Sequence, residues 1–191
     1  MCGIVGIIDF SNNIDKVKAS LRKMNLTLKH RGPNNQNEEI FSLDNSIVGL
    51  GHCRLSILDL SDSANQPMKS PNERFVIVHN GEVYNFSEIK AELEKKGYQF
   101  KTTSDTEVIL NAYNEWGIEC IKKFIGMFAF AILDLKEKKL TLCRDRAGVK
   151  PLYIYNHNGV ILFASEVKAF HEYPGFKPEI DYDALGLYLK H

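Results

Sequence analysis

The chain carries a cysteine at its second position, and this residue is the first candidate for chemistry. The opening MCGIVG, residues 1–6, places Cys2 directly behind the initiator methionine. Removal of Met1 would leave a thiol and a free α-amine on one residue, which makes a nucleophile with its own base. An α-amine has a pKa of about 7.7–8.0, close to working pH, as a general base needs. Such N-terminal nucleophiles serve acyl transfer, although a cysteine at position 2 can equally have no function.

The dipeptide at positions 80 and 81 is the second candidate. The side-chain amide of Asn80 and the backbone N–H of Gly81 can converge on one oxygen, as stabilisation of a tetrahedral acyl-transfer intermediate requires. Loss of one such donor costs roughly 3–4 kcal/mol of activation free energy. Asn-Gly also favours a tight turn. A plain hairpin turn after the strand predicted at 75–79 is therefore the alternative.

Three charged residues could recognise a small zwitterion. Arg54 ends a predicted strand, and its guanidinium fork suits bidentate binding of a carboxylate. Asp105 could accept a substrate ammonium group, with Glu82 assisting from the other side. The non-functional alternatives are a surface salt bridge for Arg54 and a favourable interaction with the helix dipole for Asp105.

Two histidines allow a different arrangement, a Cys–His dyad. His52 lies beside a glycine and His79 lies in a predicted strand. Both positions favour a structural role, and an N-terminal cysteine needs no histidine because its own amine is the base.

Hydrophobic periodicity predicts the elements that must position these residues. Apolar residues three and four apart over 14–28 predict a helix, and capping patterns at Asn85 and Ser104 predict two more. The segment 127–133 is apolar on both faces, as in a sheet covered on both sides. Further strands are predicted at 4–8, 39–43, 47–54, 75–79, 139–144, 152–155 and 160–164, with short helices near 118–125 and 181–190. The order favours an α+β fold in which mostly antiparallel sheets pack together with helices outside.

Length and composition exclude several classes of protein. The 191 residues predict a single domain with a sizeable core, and the formal net charge of zero gives no electrostatic footprint for nucleic acid. No apolar stretch reaches the ~20 residues of a membrane span, and no secretory signal is recognisable. The four cysteines lack zinc-binding spacing. We therefore expect no metal site, no membrane or nucleic-acid partner, and a cytoplasmic location.

The sequence resembles the class II, N-terminal nucleophile, glutamine amidotransferases, and within them the glutaminase domain of glutamine-hydrolysing asparagine synthetases. The resemblance extends from residue 1 to about residue 170. It is carried, after the opening MCGIVG, by an ordered series of segments: HRGP at 30–33, GHCRLSI at 51–57, HNGEVYN at 79–85, SDTEV at 104–108, GMFAF at 126–130, RDRAGVKPLY at 144–153 and FASE at 163–166.

The resemblance implies a role for each candidate residue. Cys2 would be the nucleophile, and Asn80 with the Gly81 N–H would form the oxyanion hole. Arg54 would hold the α-carboxylate of glutamine and Asp105 its α-ammonium. Glu82 and the backbone around Leu55 and Ile57 would line the pocket. The implied fold is the Ntn-hydrolase αββα sandwich, two stacked mostly antiparallel sheets flanked by helices.

The implied reaction is hydrolysis of L-glutamine to L-glutamate and ammonia through a thioester on Cys2. No cofactor is expected for this step. ATP and Mg²⁺ would belong to a synthetase domain or subunit that receives the ammonia and is absent from residues 1–191. The alternatives are a catalytically silent scaffold or interaction domain of the same fold, and a glutaminase domain serving a different acceptor. Oligomeric state stays open.

One position departs from the family pattern. The family usually has an aspartate after Arg-Gly-Pro, whereas this chain has Asn34. Loss of that charge leaves the local loop structure in question but does not touch the candidate nucleophile or the substrate-binding residues.

Overall fold

The fold, in a computed structural model that describes residues 1–57 and 59–190, is built on two antiparallel sheets. The first sheet has five strands in the order β2-β3-β1-β9-β8 and the second has four in the order β4-β5-β6-β7. The strands are β1 (Gly3–Asp9), β2 (Asn35–Leu43), β3 (Ser46–Arg54), β4 (Met68–Lys69), β5 (Phe75–Val83), β6 (Gly126–Asp134), β7 (Lys139–Arg144), β8 (Tyr153–His157) and β9 (Val160–Ala164).

Helices cover the outer face of each sheet. The covering helices are α1 (Ile14–Leu26), α2 (Phe86–Lys95) and α3 (Asp105–Trp116). A further helix, α4 (Tyr182–Lys190), follows later in the chain, and 3₁₀ turns lie at Asp62–Ala64, Gly117–Lys123 and Val167–Glu172. Helix α1 packs on the five-stranded sheet, and α2 and α3 share a hydrophobic cluster with the four-stranded sheet. None of the side chains of α4 is buried. The layers therefore run helix, sheet, sheet, helix, which confirms the αββα prediction.

Alternation along β1 shows how the layers are joined. Ile4 and Ile8 face the second sheet, whereas Val5 and Ile7 face α1. Between the two inward residues, a Cβ on Gly6 would lie 2.1 Å from the ring of Phe163. The glycine therefore makes room for the largest side chain of the inter-sheet layer.

The prediction of a turn at Asn80 and Gly81 was wrong. Strand β5 continues through both residues to Val83, with Asn80 opposite Ala129 and Gly81 opposite Phe128 of β6. A Cβ on Gly81 would lie 2.3 Å from the carbonyl oxygen of Met127. Close approach of β6, rather than a turn, is what requires glycine here.

Helix boundaries agree with the sequence, but one cap works differently. Ser104 caps α3 by accepting a hydrogen bond from the Thr106 N–H, as predicted. Asn85 stands before α2 without capping it, because its side chain bonds the Lys123 carbonyl and the Ile125 N–H instead. Asn85 thus ties the start of α2 to the segment before β6.

Across the described residues, no helix combines the length and apolar character needed to cross a membrane.

Candidate active site

All eight residues proposed from the sequence line one cavity of about 160 Å³ at one end of the sandwich. Strand β1 begins here, β3 ends here, and α3 starts here, while the C-terminal half of β5 forms one wall. These residues are Cys2, Arg54, Leu55, Ile57, Asn80, Gly81, Glu82 and Asp105. Antiparallel pairing of β1 with β3 explains part of this arrangement, since Gly3 lies opposite Cys53 and so brings Cys2 beside Arg54 and Leu55.

Cys2 is held through its backbone and through Leu55. The Cys2 carbonyl accepts a hydrogen bond of 2.9 Å from Arg31 Nε. Its Sγ lies 3.4 Å from the Leu55 N–H nitrogen and 3.7 Å from the Leu55 carbonyl oxygen. Burial raises the pKa of the Cys2 thiol, although the Leu55 backbone and nearby positive charge oppose the rise. A thiol in this state needs an adjacent base to become a nucleophile.

A cluster of ion pairs, which we call the Glu166 cluster, stands behind Cys2. It comprises Glu166, Arg31, His30 and Lys168. Glu166 Oε1 lies 2.8 Å from Arg31 Nη1 and 3.0 Å from His30 Nε2, and Glu166 Oε2 lies 3.1 Å from Lys168 Nζ. Burial acts to raise the pKa of Glu166, but the three donors together lower it to about 2. The cluster therefore fixes the arginine that holds the Cys2 carbonyl.

The oxyanion candidate is buried and unsatisfied. Asn80 is fully buried, yet neither its amide nitrogen nor its amide oxygen has a hydrogen-bond partner among the described residues. Buried polar atoms are normally paired, so an unpaired amide on a cavity wall indicates a place for a ligand atom. Gly81 follows it on the same wall.

Three of the N–H groups of Arg54 already donate hydrogen bonds within the protein. Its Nη1 donates to the Ser61 carbonyl and to Asn65 Oδ1, both at 2.7 Å, and its Nη2 donates to the Asp59 carbonyl. A guanidinium has five N–H donors. Among the described residues nothing accepts from the other two, one on Nε and one on Nη2, which leaves them for a ligand carboxylate. The surface salt bridge considered as an alternative does not form among the described residues.

Only one of the two carboxylate oxygens of Asp105 accepts a hydrogen bond from the described residues. Asp105 is the first residue of α3, and its Oδ2 accepts a hydrogen bond of 2.9 Å from the Val83 N–H. Its Oδ1 has no hydrogen-bond partner in the described part of the chain. Glu82 is half-buried on the β5 wall. Asp105 and Glu82 therefore line the cavity from different elements.

The two histidines form a buried neutral network with Thr106 and Gln66 rather than a dyad with Cys2. His52 Nε2 donates to the His79 carbonyl at 3.1 Å, and His79 Nδ1 lies 3.1 Å from Thr106 Oγ1. Gln66 bonds both the His79 N–H and Thr106 Oγ1. Burial lowers the pKa of His52 to about 3 and lowers that of His79 as well. We call these four residues the His52–Gln66 network; it joins the residue before Asn80 to the residue after Asp105.

Asn34, which stands where an aspartate was expected, makes hydrogen bonds that hold its loop. Its Oδ1 accepts a hydrogen bond of 3.0 Å from the Ser56 N–H, and its own N–H donates to the Arg54 carbonyl. An amide oxygen can accept this bond as a carboxylate oxygen would. Asn34 therefore anchors the segment that carries Leu55 and Ile57.

Comparison with known proteins identifies the family of this chain. The family model of the glutamine amidotransferase domain matches residues 1–191, the whole chain. The chain belongs to this family. An archaeal relative provisionally named asparagine synthetase [glutamine-hydrolyzing] 2, from Methanocaldococcus jannaschii, is 41% identical over 99% of this chain and 39% of its own length. Asparagine synthetase [glutamine-hydrolyzing] 3 of Bacillus subtilis is 38% identical over 97% of this chain and 30% of its own length.

The glutamine amidotransferase domain thus spans well under half the length of these relatives. Among solved structures, the glutamine phosphoribosylpyrophosphate amidotransferase of Bacillus subtilis superposes with a TM-score of 0.71 at 22% identity, covering 90% of this chain and 43% of that chain. At this identity the similarity establishes the fold, which is the one predicted.

The cavity wall includes residues that were not among the sequence candidates, notably Met1 and Lys150. His79, considered from the sequence for a Cys–His dyad, lies on the wall as part of the His52–Gln66 network. Lys150 was visible only as one letter of the RDRAGVKPLY segment, and a lysine before a proline ordinarily suggests an exposed turn. The sequence signal that could have located Lys150 was the position of its turn directly after β7, a strand of the sheet predicted to be covered on both sides.

Proposed function

We propose that this glutamine amidotransferase domain hydrolyses L-glutamine to L-glutamate and ammonia through a thioester on Cys2. The observation that carries the proposal is the convergence on one cavity of a cysteine thiol, an unpaired buried amide, a guanidinium with two free donors and a carboxylate with one free oxygen. These groups match the reacting amide and the zwitterionic end of glutamine.

The proposed reaction begins once Met1 has been removed. The α-amine of Cys2 takes the thiol proton, and the sulfur attacks the side-chain carbonyl carbon of glutamine. Asn80 Nδ2–H and the Gly81 N–H donate to the oxyanion of the tetrahedral intermediate. The protonated amine then passes its proton to the leaving nitrogen, which departs as ammonia. Water, deprotonated by the same amine, cleaves the thioester and releases glutamate.

Recognition of glutamine would use what the protein leaves free on two residues. The remaining Nε and Nη2 donors of Arg54 suit the α-carboxylate. The free Oδ1 of Asp105 suits the α-ammonium, with Glu82 adding negative charge nearby. A buried site that hydrogen-bonds both groups rejects analogues that lack either one, because its own polar atoms would be left unpaired.

The ammonia would pass to an ATP-dependent domain or subunit of the asparagine-synthetase type. This part of the proposal is supported by the names of the relatives, of which the chain matches only 39% and 30% of the length. ATP and Mg²⁺ would belong to that domain. An acceptor other than aspartate is compatible with the same glutaminase chemistry. A cytoplasmic location stays a prediction, consistent with four free cysteines.

A silent scaffold is the second candidate, and one observation favours it for the unprocessed chain. Met1 lies on the cavity wall, and while it is attached the Cys2 nitrogen is an amide without basicity. Loss of Met1 is therefore the step that separates the two candidates.

The test is glutamate release from L-glutamine by the purified chain, with intact mass recorded on the same sample. A chain lighter by one methionine should release glutamate, and Cys2→Ala should reduce release to background. The matched control is Cys143→Ala, since Cys143 is half-buried and lies outside this cavity. Release that survives Cys2→Ala, or a processed wild type without release, would contradict the proposal.

A further inference from the structure

Lys150 lies in the turn after β7 and its backbone is fixed without help from its side chain. The Lys150 N–H donates to Asp145 Oδ2 at 2.9 Å, and the Lys150 carbonyl accepts from Arg144 Nε at 2.7 Å. Asp145 Oδ1 also accepts from the Val149 N–H. Lys150 contributes only its backbone N–H and carbonyl to these bonds, whose partners are the side chains of Asp145 and Arg144. A change of the Lys150 side chain therefore leaves the bonds that hold the turn in place.

The side chain itself is buried against the cavity. Lys150 is 4% exposed and lies on the same wall as Cys2 and Asn80. Its Nζ has one hydrogen-bond partner among the described residues, Met1 Sδ at 3.1 Å, and no carboxylate within 4.0 Å. A thioether is a weak acceptor. A buried ammonium without an anion is costly, and removal of Met1 takes away the partner that it has.

The other charged and titratable groups on the cavity wall are engaged differently. They come from five places in the chain: Cys2 before β1, Arg54 at the end of β3, Asp59 in the following loop, His79 and Glu82 on β5, and Asp105 on α3. Arg54 donates to loop carbonyls, Asp59 bonds Ser61 and Thr103, and His79 is neutral within its network. Arg54 and Lys150 are the two cationic side chains on the described wall. Arg54 donates to carbonyls of the loop that follows β3, whereas the Lys150 ammonium does not.

We propose that the Lys150 ammonium stabilises the negative charge that develops at Cys2 and at the oxyanion during glutamine hydrolysis. The inference rests on the proposed function. Lys150 exchanges no proton in this scheme: the thiol proton moves to the Cys2 amine and then to the leaving nitrogen. Arg54 already acts to lower the pKa of the Cys2 thiol, and a second cation on the same cavity wall would favour the thiolate over the thiol and the neutral amine over the protonated amine in the same sense. Both effects enlarge the reactive fraction of Cys2 at neutral pH.

The experiment compares Lys150→Met with the wild type, both with Met1 removed as verified by intact mass. Methionine keeps the length of the side chain and removes its charge. The acidic limb of kcat/KM should move up by about one pH unit, and kcat/KM at pH 7 should fall about tenfold. Lys150→Arg, which keeps the charge, should stay closer to the wild type. Lys139→Met removes an exposed lysine at the far end of β7 and should leave the profile unchanged.

A second readout does not depend on turnover. The rate of Cys2 alkylation by iodoacetamide, followed by peptide mass spectrometry against pH, reports the thiolate fraction directly. Its profile should shift up in Lys150→Met, and in Lys150→Gln if the methionine variant does not fold. Coincident alkylation profiles for the folded neutral variant and the wild type would overturn the role of Lys150. Absence of glutamate release from the wild type would instead count against the proposed function, while alkylation still decides the role of Lys150.

Discussion

Cys2 and Asn80, the proposed nucleophile and oxyanion donor, are held by polar networks of opposite character. Behind Cys2, the Glu166 cluster is charged and partly open to water, with the Glu166 side chain 27% exposed and that of Lys168 49% exposed. Behind Asn80, the His52–Gln66 network is buried and neutral. The first fixes a backbone carbonyl through Arg31, and the second fixes the main chain of β5.

The difference predicts different sensitivities for the two halves of the site. Exposed ion pairs are weakened by salt and contribute little each. Buried hydrogen bonds between neutral groups are insensitive to salt, but they lose stability when one member must take up a proton. The position of Cys2 should therefore respond to ionic strength, and the position of Asn80 to acid.

The largest expected effect separates function from stability at the oxyanion strand. Asn80→Ala should lower kcat by about 10²–10³-fold, since the proposed oxyanion donor is lost. The free energy of unfolding should stay within about 1 kcal/mol of the wild type, because the amide has no protein partner to lose. Steady-state kinetics and urea denaturation measure the two quantities.

Asn111→Ala is the matched control for this variant. Asn111 is equally buried, its amide atoms are equally unpartnered among the described residues, and it lies on α3 away from the cavity. It should retain full activity. Equal losses of activity in the two variants would show that Asn80 acts only through packing.

The next effect tests the neutral network by pH. The folded-state pKa of His52 is about 3, against an ordinary value of 6.5. Its contribution to stability is therefore complete above pH 6.5 and is lost as pH falls from 6.5 towards 3, because the unfolded chain takes up the proton first. One histidine should give a slope of about 1.4 kcal/mol per pH unit. His52→Gln, which keeps a donor for the His79 carbonyl, should flatten the slope by about that amount between pH 6 and pH 4.

Urea denaturation at a series of pH values measures this slope. His157→Gln provides the control, because that ring lies in water at the end of β8 and its loss should leave the slope unchanged. Parallel slopes in His52→Gln and the wild type would mean that His52 is not kept neutral by burial.

The smallest effect concerns the Glu166 cluster. Glu166→Gln should lower the free energy of unfolding by about 0.5–1 kcal/mol at low salt, and the difference should shrink in 0.5 M NaCl, as expected of roughly one screened ion pair. Thermal unfolding at two salt concentrations measures both numbers. Glu119→Gln removes a surface pair with Lys122 on the 3₁₀ turn and should change less. If the loss of unfolding free energy in Glu166→Gln were the same in 0.5 M NaCl, the Glu166 cluster would be insensitive to salt like the His52–Gln66 network, and the proposed contrast between the two would be wrong.

Sequence reasoning recovered the layers of the fold and the members of the site, for physical reasons that differ. The strand pattern was recognisable because β1 and β6 carry apolar residues on both faces, and these residues are buried in the structure. Six of the eight site residues were candidates by residue type, whereas Leu55 and Ile57 came from the resemblance alone, and the structure gathers all eight around one cavity.

What the sequence did not predict depends on partners distant along the chain. Asn80 and Gly81 have strong turn propensity, but pairing with β6 overrides it. Asn85 has the spacing of a capping box, yet its side chain bonds residues 123 and 125 instead. The burial of Lys150 against Met1 joins residues 149 positions apart, and no local pattern encodes such a contact.

The bonds from Arg54 to the Asp59 and Ser61 carbonyls have a consequence for affinity. The same guanidinium both orders its loop and offers its last two donors to a ligand. Only chains in which these carbonyls are docked present Arg54 in the geometry described. The apparent dissociation constant for glutamine is then the intrinsic constant divided by the docked fraction. Substitutions in the loop that never contact the ligand will therefore change affinity in proportion to that fraction.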